Sequence, residues 1–361
     1  MKSALLRLAW SRQAIGLAAA LFTAAAVIAA TGSSASEALR TMVVGAVGDL
    51  PAAVAESLKS HRLILPNEIL RLLAKATPLI LSGLAVAVAL RGGLFNIGAE
   101  GQILVGAFAA AVLGAAWPGL PAYIHLPACL LAAMLAGASW AAIAGVLKAW
   151  KGAHEVIVTI MLNYIAIQLT HYLVNIPARD PSSLAPATRL IQPGARLWAL
   201  EGGTNFSAGI GLALAAAAGV WYLFARTRLG FEIRAVGENQ LASRLAGIPV
   251  SATVVLAMAI SGALAGLAGG VEVLGVHRRY LDAFSPGYGF DSIAVAFLGN
   301  LHPAGIVASA CLFGGIAGGA VHMEAYTNTP RQIAGIIQAV VILAVAARWP
   351  VFSRSRDGQR S

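Results

Sequence analysis

Long apolar stretches alternate with short polar ones along almost the whole chain. A membrane-spanning helix needs about 20 mainly apolar residues. This rule gives predicted crossings at 14–31, 76–90, 96–116, 127–147, 154–174, 208–225, 251–275, 289–301, 304–320 and 331–348. The crossings at 76–90 and 289–301 are short, so each is a plain span or a tilted, broken or re-entrant helix. The pattern predicts an all-α fold, a polytopic integral membrane bundle of about ten transmembrane helices.

The polar stretches divide the chain into spanning and connecting parts. The predicted parts are an N-terminal segment (1–13), an N-terminal transmembrane helix (14–31), an external loop with an interfacial helix (32–75), a first helix group (76–225) with an external loop at 175–207, a connecting loop (226–250), a second helix group (251–348) and a tail (349–361). Helical spacing of apolar residues over 36–50 predicts a helix that lies along the membrane interface or packs on the bundle. The first crossing also has the pattern of a signal sequence, and we expect it to be retained as an anchor.

Composition supports the membrane class. Hydrophobic residues make up 58% of the chain and charged residues 11%, whereas globular domains carry about 25% charged residues. The formal net charge of +10 comes from short basic clusters beside apolar runs, which fits contact with lipid headgroups and excludes a nucleic-acid-binding face. Cys129 and Cys311 lie inside apolar runs, and we expect both to be packing residues.

The distribution of basic residues indicates the orientation of the bundle. An even number of crossings with the N-terminus inside places three basic clusters on the cytoplasmic side, where lysine and arginine are enriched. The clusters are Lys148/Lys151, Arg226/Arg228/Arg234/Arg244 and Arg348/Arg354/Arg356. The opposite side carries basic residues too, among them Arg62, Arg71, Arg278 and Arg279. The bias is therefore partial, and it predicts that both termini are cytoplasmic.

Several catalytic motifs are missing from the sequence. No lysine follows a glycine, as the lysine of a nucleotide-binding P-loop must. The pair His154-Glu155 lacks the second histidine of a zinc protease, because position 158 is Val158. No Gly-x-Ser-x-Gly sequence supplies a hydrolase nucleophile. We therefore expect no enzyme, and uphill transport would take its energy from a partner or an ion gradient.

A glycine-rich stretch, 91–106, lies between two apolar runs and includes Asn96 and Glu100. Polar groups at membrane depth persist where they face protein or water. One interpretation is a broken or closely packed helix that lines a pathway, with Asn96 and Glu100 one turn apart on one face. The other is a turn followed by a capped helix start. Spacing alone leaves both open.

Other polar residues fall inside or beside predicted crossings. Asn163 is expected to form an interhelical hydrogen bond. Asp291 is either a pathway residue or a helix cap. Runs of small residues at 261–270 and 314–319 predict close helix packing.

The connecting loop 226–250 is polar and basic. Gly237 and Gly247 bracket a predicted short helix at 238–246. Composition alone is consistent with a solvated connector or with a helix that binds a partner.

Three motifs together resemble the membrane permease subunits of bacterial ABC importers in the branched-chain amino acid, ribose and nucleoside group. The resemblance is greatest to the larger permease of nucleoside-type systems and covers about 65–345. The motifs are Gly93-Leu-Phe-Asn-Ile-Gly-Ala-Glu-Gly-Gln102, Leu229-Gly-Phe-Glu-Ile-Arg-Ala-Val-Gly-Glu-Asn239 with Ala246-Gly-Ile248, and Gly289-Phe-Asp-Ser-Ile-Ala-Val-Ala296.

The resemblance implies a type II ABC importer-like permease in which 230–248 is the coupling helix. Gly237 would permit a turn, Glu238 and Asn239 would cap the helix start, and Arg234 and Arg244 would pair with acidic groups of an ATPase. The implied coupling residues are Gly230, Arg234, Gly237, Glu238, Asn239, Arg244 and Gly247. The candidate pathway residues are Gly93, Asn96, Gly98, Glu100, Asn163 and Asp291.

The resemblance also implies partners. They are a cytoplasmic ATP-binding subunit that holds ATP and Mg²⁺, a second permease (a different chain or a copy of this one), an external solute-binding lipoprotein and membrane lipid. This chain itself would bind no cofactor and no nucleic acid, and would lie in a bacterial cytoplasmic (inner) membrane. The expected cargo is a nucleoside or related base, with simple sugars next.

Two other functions are compatible with a helical bundle. An ion-coupled secondary transporter also uses broken helices and buried acids, although the basic helix-like loop argues against it. A lipid-modifying enzyme would need an acid and a base, for which the sequence offers His154/Glu155 or His322/Glu324 without a third orienting group nearby.

Overall fold

The structure is a computed structural model that describes residues 22–23, 25–26, 28, 34–49, 66–200, 204–327, 329–330 and 332–346. These residues form α-helices joined by turns and loops. In chain order the helices are α1 (Ala35–Val47), α2 (Asn67–Arg91), α3 (Ala99–Ala115), α4 (Ala122–Lys151), α5 (Glu155–Asn175), α6 (Gly209–Arg226), α7 (Arg228–Glu238), α8 (Gln240–Leu245), α9 (Val250–Glu272), α10 (Tyr288–Leu298), α11 (Pro303–Tyr326) and α12 (Ile333–Ala346). A 3₁₀ turn (Pro193–Ala195) and a π-helical turn (Val273–His277) complete them. Most of the predicted first crossing, 14–31, lies outside the described residues.

Six of the described helices are long and apolar enough to cross a membrane. They are α2, α4, α5, α6, α9 with its π-helical turn, and α11. Helices α3 and α10 are apolar but shorter. The chain is thus a helical, multi-spanning membrane protein, and the expected count of about ten crossings is not confirmed.

The predicted short crossing at 76–90 is wrong at its start. Helix α2 has 25 residues and begins at Asn67, because its early basic residues are accommodated. Lys75 donates a hydrogen bond from Nζ to the Ala317 carbonyl oxygen at 3.1 Å, and the end of a spanning helix is where long basic side chains reach polar surroundings. A lysine lowers the hydropathy of a predicted span, although here the fold gives the Lys75 side chain a hydrogen-bond acceptor.

The crossing predicted at 96–116 is also corrected. Residues 92–98 are not helical, and α3 begins at Ala99 and has 17 residues. The crossing predicted at 289–301 is indeed short, because α10 has 11 residues. The two shortened helices are therefore α3 and α10.

The chain divides into two compact units, and the larger one is Ala46–Gly318. Its central helices are α2 and α9, whose most apolar windows are 78% and 72% buried within the chain. A helix that is apolar on all sides belongs in the interior of a membrane bundle. Helix α9 packs against α2, α3 and α4, so it forms the axis of this unit.

Close packing around α9 depends on small residues, as the run 261–270 predicted. A Cβ atom on Gly262 would overlap the Gly137 carbonyl oxygen of α4, and one on Gly266 would overlap the Ala133 carbonyl oxygen. A Cβ atom on Gly269 would likewise overlap the backbone of α3. Backbones approach this closely only where side chains are absent or very small.

Helices α4, α5 and α6 are more exposed, since only 28% of the apolar window of each is buried within the chain. Their free faces are mainly apolar and suit lipid or another membrane subunit.

The smaller unit combines the chain up to Gly45 with the chain from Gly319 onwards. Helix α1 occupies Ala35–Val47, so most of the stretch 36–50 is helical, and its location at the membrane interface stays a prediction. Gly319 of α11 allows the Met42 backbone to approach, and Gly45 allows His322 to approach. The unit therefore contains close helix contacts of its own.

Candidate functional site: a helix junction, a polar cavity and a helical hairpin

The chain reverses direction after α2 and returns into the bundle without forming a helix. The turn is at Gly92 and Gly93, and Gly93 has a φ of 71°, a left-handed conformation that favours glycine. Residues 94–98 then lead to α3, whose first residue is Ala99. Non-helical backbone at membrane depth is tolerated where protein groups satisfy it.

Asn96 supplies several of those hydrogen bonds. Its Nδ2 donates to Gln102 Oε1 at 3.0 Å and to Ser261 Oγ at 2.8 Å. Its Oδ1 accepts from the Gly98 amide and from Gln102 Nε2, both at 3.0 Å. Ser261 is the twelfth of the 23 residues of α9, so Asn96 lies beside the middle of a spanning helix.

This geometry contradicts the interpretation that placed Asn96 and Glu100 on one helix face. Asn96 precedes α3 in the non-helical stretch, because its side chain caps the local backbone at Gly98. Both amide atoms of Asn96 are occupied by protein groups, so it holds the segment in place. Gly93 lies at the turn after α2, beside Gly237, and Gly98 is the N-cap of α3.

Asn163 of α5 fixes the same segment from the other side. Its Oδ1 accepts from the Gly101 amide at 2.8 Å, and its Nδ2 donates to the Ile97 carbonyl oxygen at 2.8 Å. These bonds join α5 to the start of α3, which confirms the interhelical hydrogen bond expected for Asn163. Its amide therefore satisfies buried backbone groups on both sides of the helix start.

The N-termini of α3 and α10 meet inside the bundle. The Gly289 amide of α10 donates to Glu100 Oε2 of α3 at 2.7 Å, and Glu100 is only 5% exposed. A Cβ atom on Gly289 would overlap the Glu100 backbone. Two positive helix ends face each other with a carboxylate between them, an arrangement that broken helices of transporters use at their binding sites.

The two helices run apart from this junction. Gly114, near the end of α3, accepts a hydrogen bond from Gln192 in the loop 176–200. The turn after α10 accepts two from Arg91, through the Leu301 carbonyl oxygen at 2.9 and 3.1 Å. The junction therefore lies between the two ends of the bundle.

Asp291 lies in the first turn of α10, where a carboxylate is favoured by the helix dipole. Its carboxyl group is close enough to Glu100 for an electrostatic interaction. Gly287 is the N-cap residue of α10, and Asp291 makes no side-chain hydrogen bond within the described residues. A side-chain capping role is thus not what the structure shows for Asp291.

A cavity of about 490 Å³ extends from Glu100 towards the end of α5. Its wall combines α3, α5 and the stretch that links the π-helical turn to α10. The lining residues are Glu100, Leu104, Ile167, Gln168, Thr170, His171, Tyr280, Asp282, Ala283 and Ser285. The cavity lining thus combines polar side chains with apolar ones.

The end of this cavity away from Glu100 carries a hydrogen-bonded pair of side chains. His171 Nδ1 lies 2.8 Å from Asp282 Oδ2, with side-chain exposures of 57% and 25%. Asn175 Nδ2 lies 3.4 Å from the same oxygen. Because Glu100 at the other end is almost fully buried, the cavity opens at the His171–Asp282 pair.

The chain beside this opening is held by strand-like pairing. The Thr188 amide donates to the Tyr280 carbonyl oxygen, and the Tyr280 amide donates to Thr188 Oγ1, both at 3.0 Å. The Ile191 amide donates to the Arg278 carbonyl oxygen at 2.9 Å. The loop between α5 and α6 therefore forms a fixed wall beside the opening.

At the opposite end of the bundle, α7 and α8 form a helical hairpin. Thr227 caps α7 by accepting from the Gly230 amide at 3.1 Å. Asn239 caps α8 by accepting from the Ala242 amide at 3.0 Å, as expected for Asn239. The hairpin ends at Gly247, which has a φ of 80°.

The single helix predicted at 238–246 is corrected by this hairpin. Glu238 is the last residue of α7, and α8 begins only after Asn239. Gly237 is not a turn residue but lies inside α7, where a Cβ atom would overlap the Arg91 carbonyl oxygen. It allows α7 to rest on the turn that follows α2.

The remaining predicted coupling residues differ in exposure. Gly230 is buried against the Leu223 backbone. Arg234 is partly buried and donates to the Gly230 carbonyl oxygen at 3.3 Å, and Arg244 is exposed. A groove of about 550 Å³ lies over the hairpin. Its lining residues are Phe231, Arg234, Ala235, Glu238, Asn239, Ala242, Ser243, Ala246 and Ile248.

Sequence reasoning missed most of the cavity. His171, Asp282 and Ser285 were not identified from the sequence, although one signal was present. Tyr164, Gln168, His171 and Asn175 recur at spacings of four, three and four residues, which places them on one face of α5. A polar stripe on a spanning helix indicates a water-facing or protein-facing side.

Comparison with known proteins identifies the family. Residues 68–346 match the family described as branched-chain amino acid transport system / permease component. A guanosine ABC transporter permease of Bacillus subtilis is 47% identical over 282 residues, covering 76% of this chain and 80% of that protein. A glucose ABC transporter permease of Haloferax volcanii is 36% identical over 296 residues, covering 79% and 77%. A nucleoside ABC transporter permease of Lactococcus lactis is 36% identical over 281 residues, covering 75% and 77%.

The chain therefore belongs to this permease family. It is a multi-pass membrane permease subunit of an ABC importer, and it is not an enzyme, since ATP hydrolysis occurs in a separate subunit of such systems.

Proposed function

We propose that this chain translocates nucleosides or related bases as a permease subunit of an ATP-driven importer. The observation that carries the proposal is the 47% identity to a guanosine permease across most of both chains. Simple sugars are the second cargo, because the glucose permease of Haloferax volcanii is 36% identical over a similar length.

The hairpin α7–α8 is the proposed contact with the ATP-binding subunit. Its outer surface exposes Phe231 at 58%, Leu241 at 68% and Leu245 at 82%, and apolar exposure of this kind favours a protein partner. Arg234 and Arg244 would pair with acidic groups beside these apolar residues. The ATP-binding subunit would hold ATP and Mg²⁺, and this chain would bind no cofactor.

Movement of α7 would reach the cavity along a short route. Gly237 rests on the turn at 91–93, and residues 94–98 connect that turn directly to Glu100. Nucleotide-driven displacement of the hairpin would therefore shift the start of α3 and the helix junction, as rigid-body switching mechanisms require.

The proposed location is the cytoplasmic (inner) membrane of a bacterium, with the hairpin and both termini on the cytoplasmic side. Basic residues of the hairpin and the end of α4, including Lys148, Lys151 and Arg244, support this orientation. The loop 176–200 would then face outwards and receive the solute-binding lipoprotein. A second permease, different from this chain or a copy of it, would complete the pore.

The test is reconstitution of this chain in liposomes with its ATP-binding subunit, its paired permease and the binding protein. We expect uptake of radiolabelled guanosine that requires enclosed ATP and is lost when the ATPase is inactivated. Glucose is the matched alternative cargo in the same vesicles. Uptake by the chain alone, driven by an ion gradient and indifferent to ATP, would identify a secondary transporter and contradict the proposal.

A further inference from the structure

We propose that the cavity between α3, α5 and residues 280–285 is a solute-binding site within the permease. We further propose that it takes an uncharged nucleoside and excludes nucleoside phosphates. This inference rests on the proposed function, because a site in the permease has a role only if the chain translocates such solutes. The cavity volume of about 490 Å³ falls within the range of about 300–1,000 Å³ that is usual for small-molecule sites.

The cavity presents polar atoms that the protein leaves without partners. Asp282 Oδ2 is engaged by His171 and Asn175, whereas Asp282 Oδ1 has no hydrogen bond in the described chain. The Gln168 side-chain amide has none there either. Carboxylate oxygens only accept, while an amide both donates and accepts. These groups suit the hydroxyl groups of a sugar and the edge of a base.

The charges in the cavity discriminate between solutes. Glu100 and Asp282 are its two carboxyl groups, and its lining residues, all within the described part of the chain, include no lysine or arginine. His171 is the one basic side chain, and Asp282 is already paired with it. A phosphate monoester would bring further negative charge beside two carboxyl groups, with no lysine or arginine in the described lining to offset it, and like charges in a partly buried site repel. A neutral solute carries no such penalty.

Part of the cavity wall is apolar. It consists of Leu104, Ile167 and Tyr280. Burial raises the pKa of Tyr280 above its ordinary value, so its phenol stays neutral. Tyr280 also packs edge-on against Phe108 with ring centroids 5.5 Å apart, which fixes its ring. A planar base fits such a wall, because aromatic and aliphatic surfaces stabilise flat rings by burial.

The polar stripe on α5 supports solvent access to the site. Gln168 and His171 are exposed, although α5 is a candidate membrane span. Polar side chains at that depth must face protein or water, and the cavity lies on this side of α5. The adjacent Leu169 is 37% exposed and is not a lining residue, so it marks the neighbouring apolar face.

The experiment measures thiol labelling in liposomes that contain the whole transporter. Cys129 and Cys311 are first replaced by alanine, and Gln168→Cys is then introduced. We expect a membrane-impermeant maleimide added outside to label this cysteine. Inosine at about ten times its dissociation constant should slow the labelling about tenfold, by competition for one site, whereas inosine 5′-monophosphate at the same concentration should not.

Two control variants calibrate the labelling. Leu169→Cys is the neighbouring position outside the cavity, and inosine should not change its labelling. Leu184→Cys lies in the loop 176–200, where Leu184 is fully exposed, and it reports that the reagent reaches this side.

A second pair of variants tests the role of the Asp282 carboxyl group. Asp282→Asn in the Gln168→Cys background should weaken protection by inosine. Asp180→Asn, in the loop 176–200 and outside the cavity lining, should leave the protection unchanged.

The outcomes separate this inference from the proposed function. If ATP-driven guanosine uptake occurs but Gln168→Cys is unlabelled, or is labelled equally with and without inosine, then the cavity is not a solute site and the importer function stands. Equal protection by inosine and inosine 5′-monophosphate would overturn the selectivity. Absence of ATP-driven uptake in the wild-type complex would instead contradict the proposed function itself.

Discussion

Single side chains at the helix junction satisfy buried backbone groups at a depth where water is scarce. Asn163 is the clearest case, because its amide bonds to both the Gly101 amide and the Ile97 carbonyl oxygen. Leaving a buried backbone group unpaired costs about 1–3 kcal/mol. The junction therefore depends on residues that do not themselves need to touch solute.

Asn163→Ala tests this role. We expect a lower thermal midpoint of the detergent-purified transporter and reduced uptake, because two backbone groups lose their partners at about 1–3 kcal/mol each. Ile165→Ala is the control on the same helix, since Ile165 is 53% exposed. The midpoint is read by intrinsic fluorescence during heating. An unchanged midpoint in Asn163→Ala would show that the two hydrogen bonds of Asn163 contribute little to the stability of the fold.

Gly289→Ala tests the contact between the two helix starts. The added Cβ atom would overlap the Glu100 backbone, and overpacking of this kind costs about 1–3 kcal/mol. We expect near-complete loss of guanosine uptake with the protein still in the membrane. Gly219→Ala is the matched control, because a Cβ atom there has no neighbour within 4 Å. Normal uptake by Gly289→Ala would mean that transport does not require close contact between the starts of α3 and α10.

At the scale of elements, α7 packs against α2, α6 and α9, and at Gly237 its backbone rests on the turn that follows α2. A Cβ atom on Gly237 would lie 2.8 Å from the Gly93 amide nitrogen and would overlap the Arg91 carbonyl oxygen. Arg91 is itself fixed by Leu301 and lies 5.0 Å from the centre of the Phe224 ring. The hairpin thus rests on a rigid part of the bundle.

Gly237→Ala should uncouple ATP hydrolysis from transport. The side chain would push α7 away from the turn at 91–93. The complex should therefore hydrolyse ATP but import guanosine at least about tenfold more slowly, which corresponds to an activation free energy of transport higher by ~1.4 kcal/mol. Gly211→Ala, in open space on α6, is the control. The two rates are measured in the same liposomes, and wild-type coupling in Gly237→Ala would argue against a mechanical role for this contact.

The element scale also shows what the sequence could predict. Long apolar runs gave α4, α5, α6 and α9 within a few residues, because hydropathy alone decides a plain span. The break before α3 was foreseen only as one of two interpretations of 91–106. Its details depend on the hydrogen bonds of Asn96 to the Ser261 side chain and of Asn163 to the Ile97 backbone. A local sequence pattern does not predict contacts between residues that are distant along the chain.

The same limit explains the cavity. Glu100 was a candidate from composition alone, but Asp282 follows it by 182 positions and belongs to an irregular segment. Only the folded arrangement of α3, α5 and that segment brings the two carboxyl groups into the lining of one cavity.

In the hairpin, the cap at Asn239 was predictable from its residue type, whereas the helical start at Arg228 was not recognised.

At the scale of the whole molecule, the proposed orientation gives opposite labelling at two exposed leucines. Leu184 lies in the loop 176–200, and Leu245 closes the hairpin and is 82% exposed. The two cysteines are introduced separately into a variant of the chain without its native cysteines, and the variants are expressed in cells. We expect an impermeant maleimide to label Leu184→Cys in intact cells and Leu245→Cys only after permeabilisation. The reverse pattern would invert the topology and place the hairpin outside.

The exposed faces of α4, α5 and α6 are available to lipid or to the proposed second permease. These faces are apolar apart from the stripe on α5, and a polar stripe needs protein or water beside it. The proposed second permease would face this stripe, so that the cavity becomes part of a path between two subunits.

The shortness of α10 has a consequence for biogenesis. Its 11 residues span about 16 Å, roughly half of a bilayer core of about 30 Å, so the insertion machinery cannot release it into lipid as a separate helix. A tight turn joins it to α11, with the Gly299 and Gly305 backbones in contact, and the two should enter together as a hairpin. The partner of Glu100 is then supplied only late in synthesis, since Gly289 follows it by 189 positions. A chain truncated before that point would therefore lack the amide that binds the Glu100 carboxyl group.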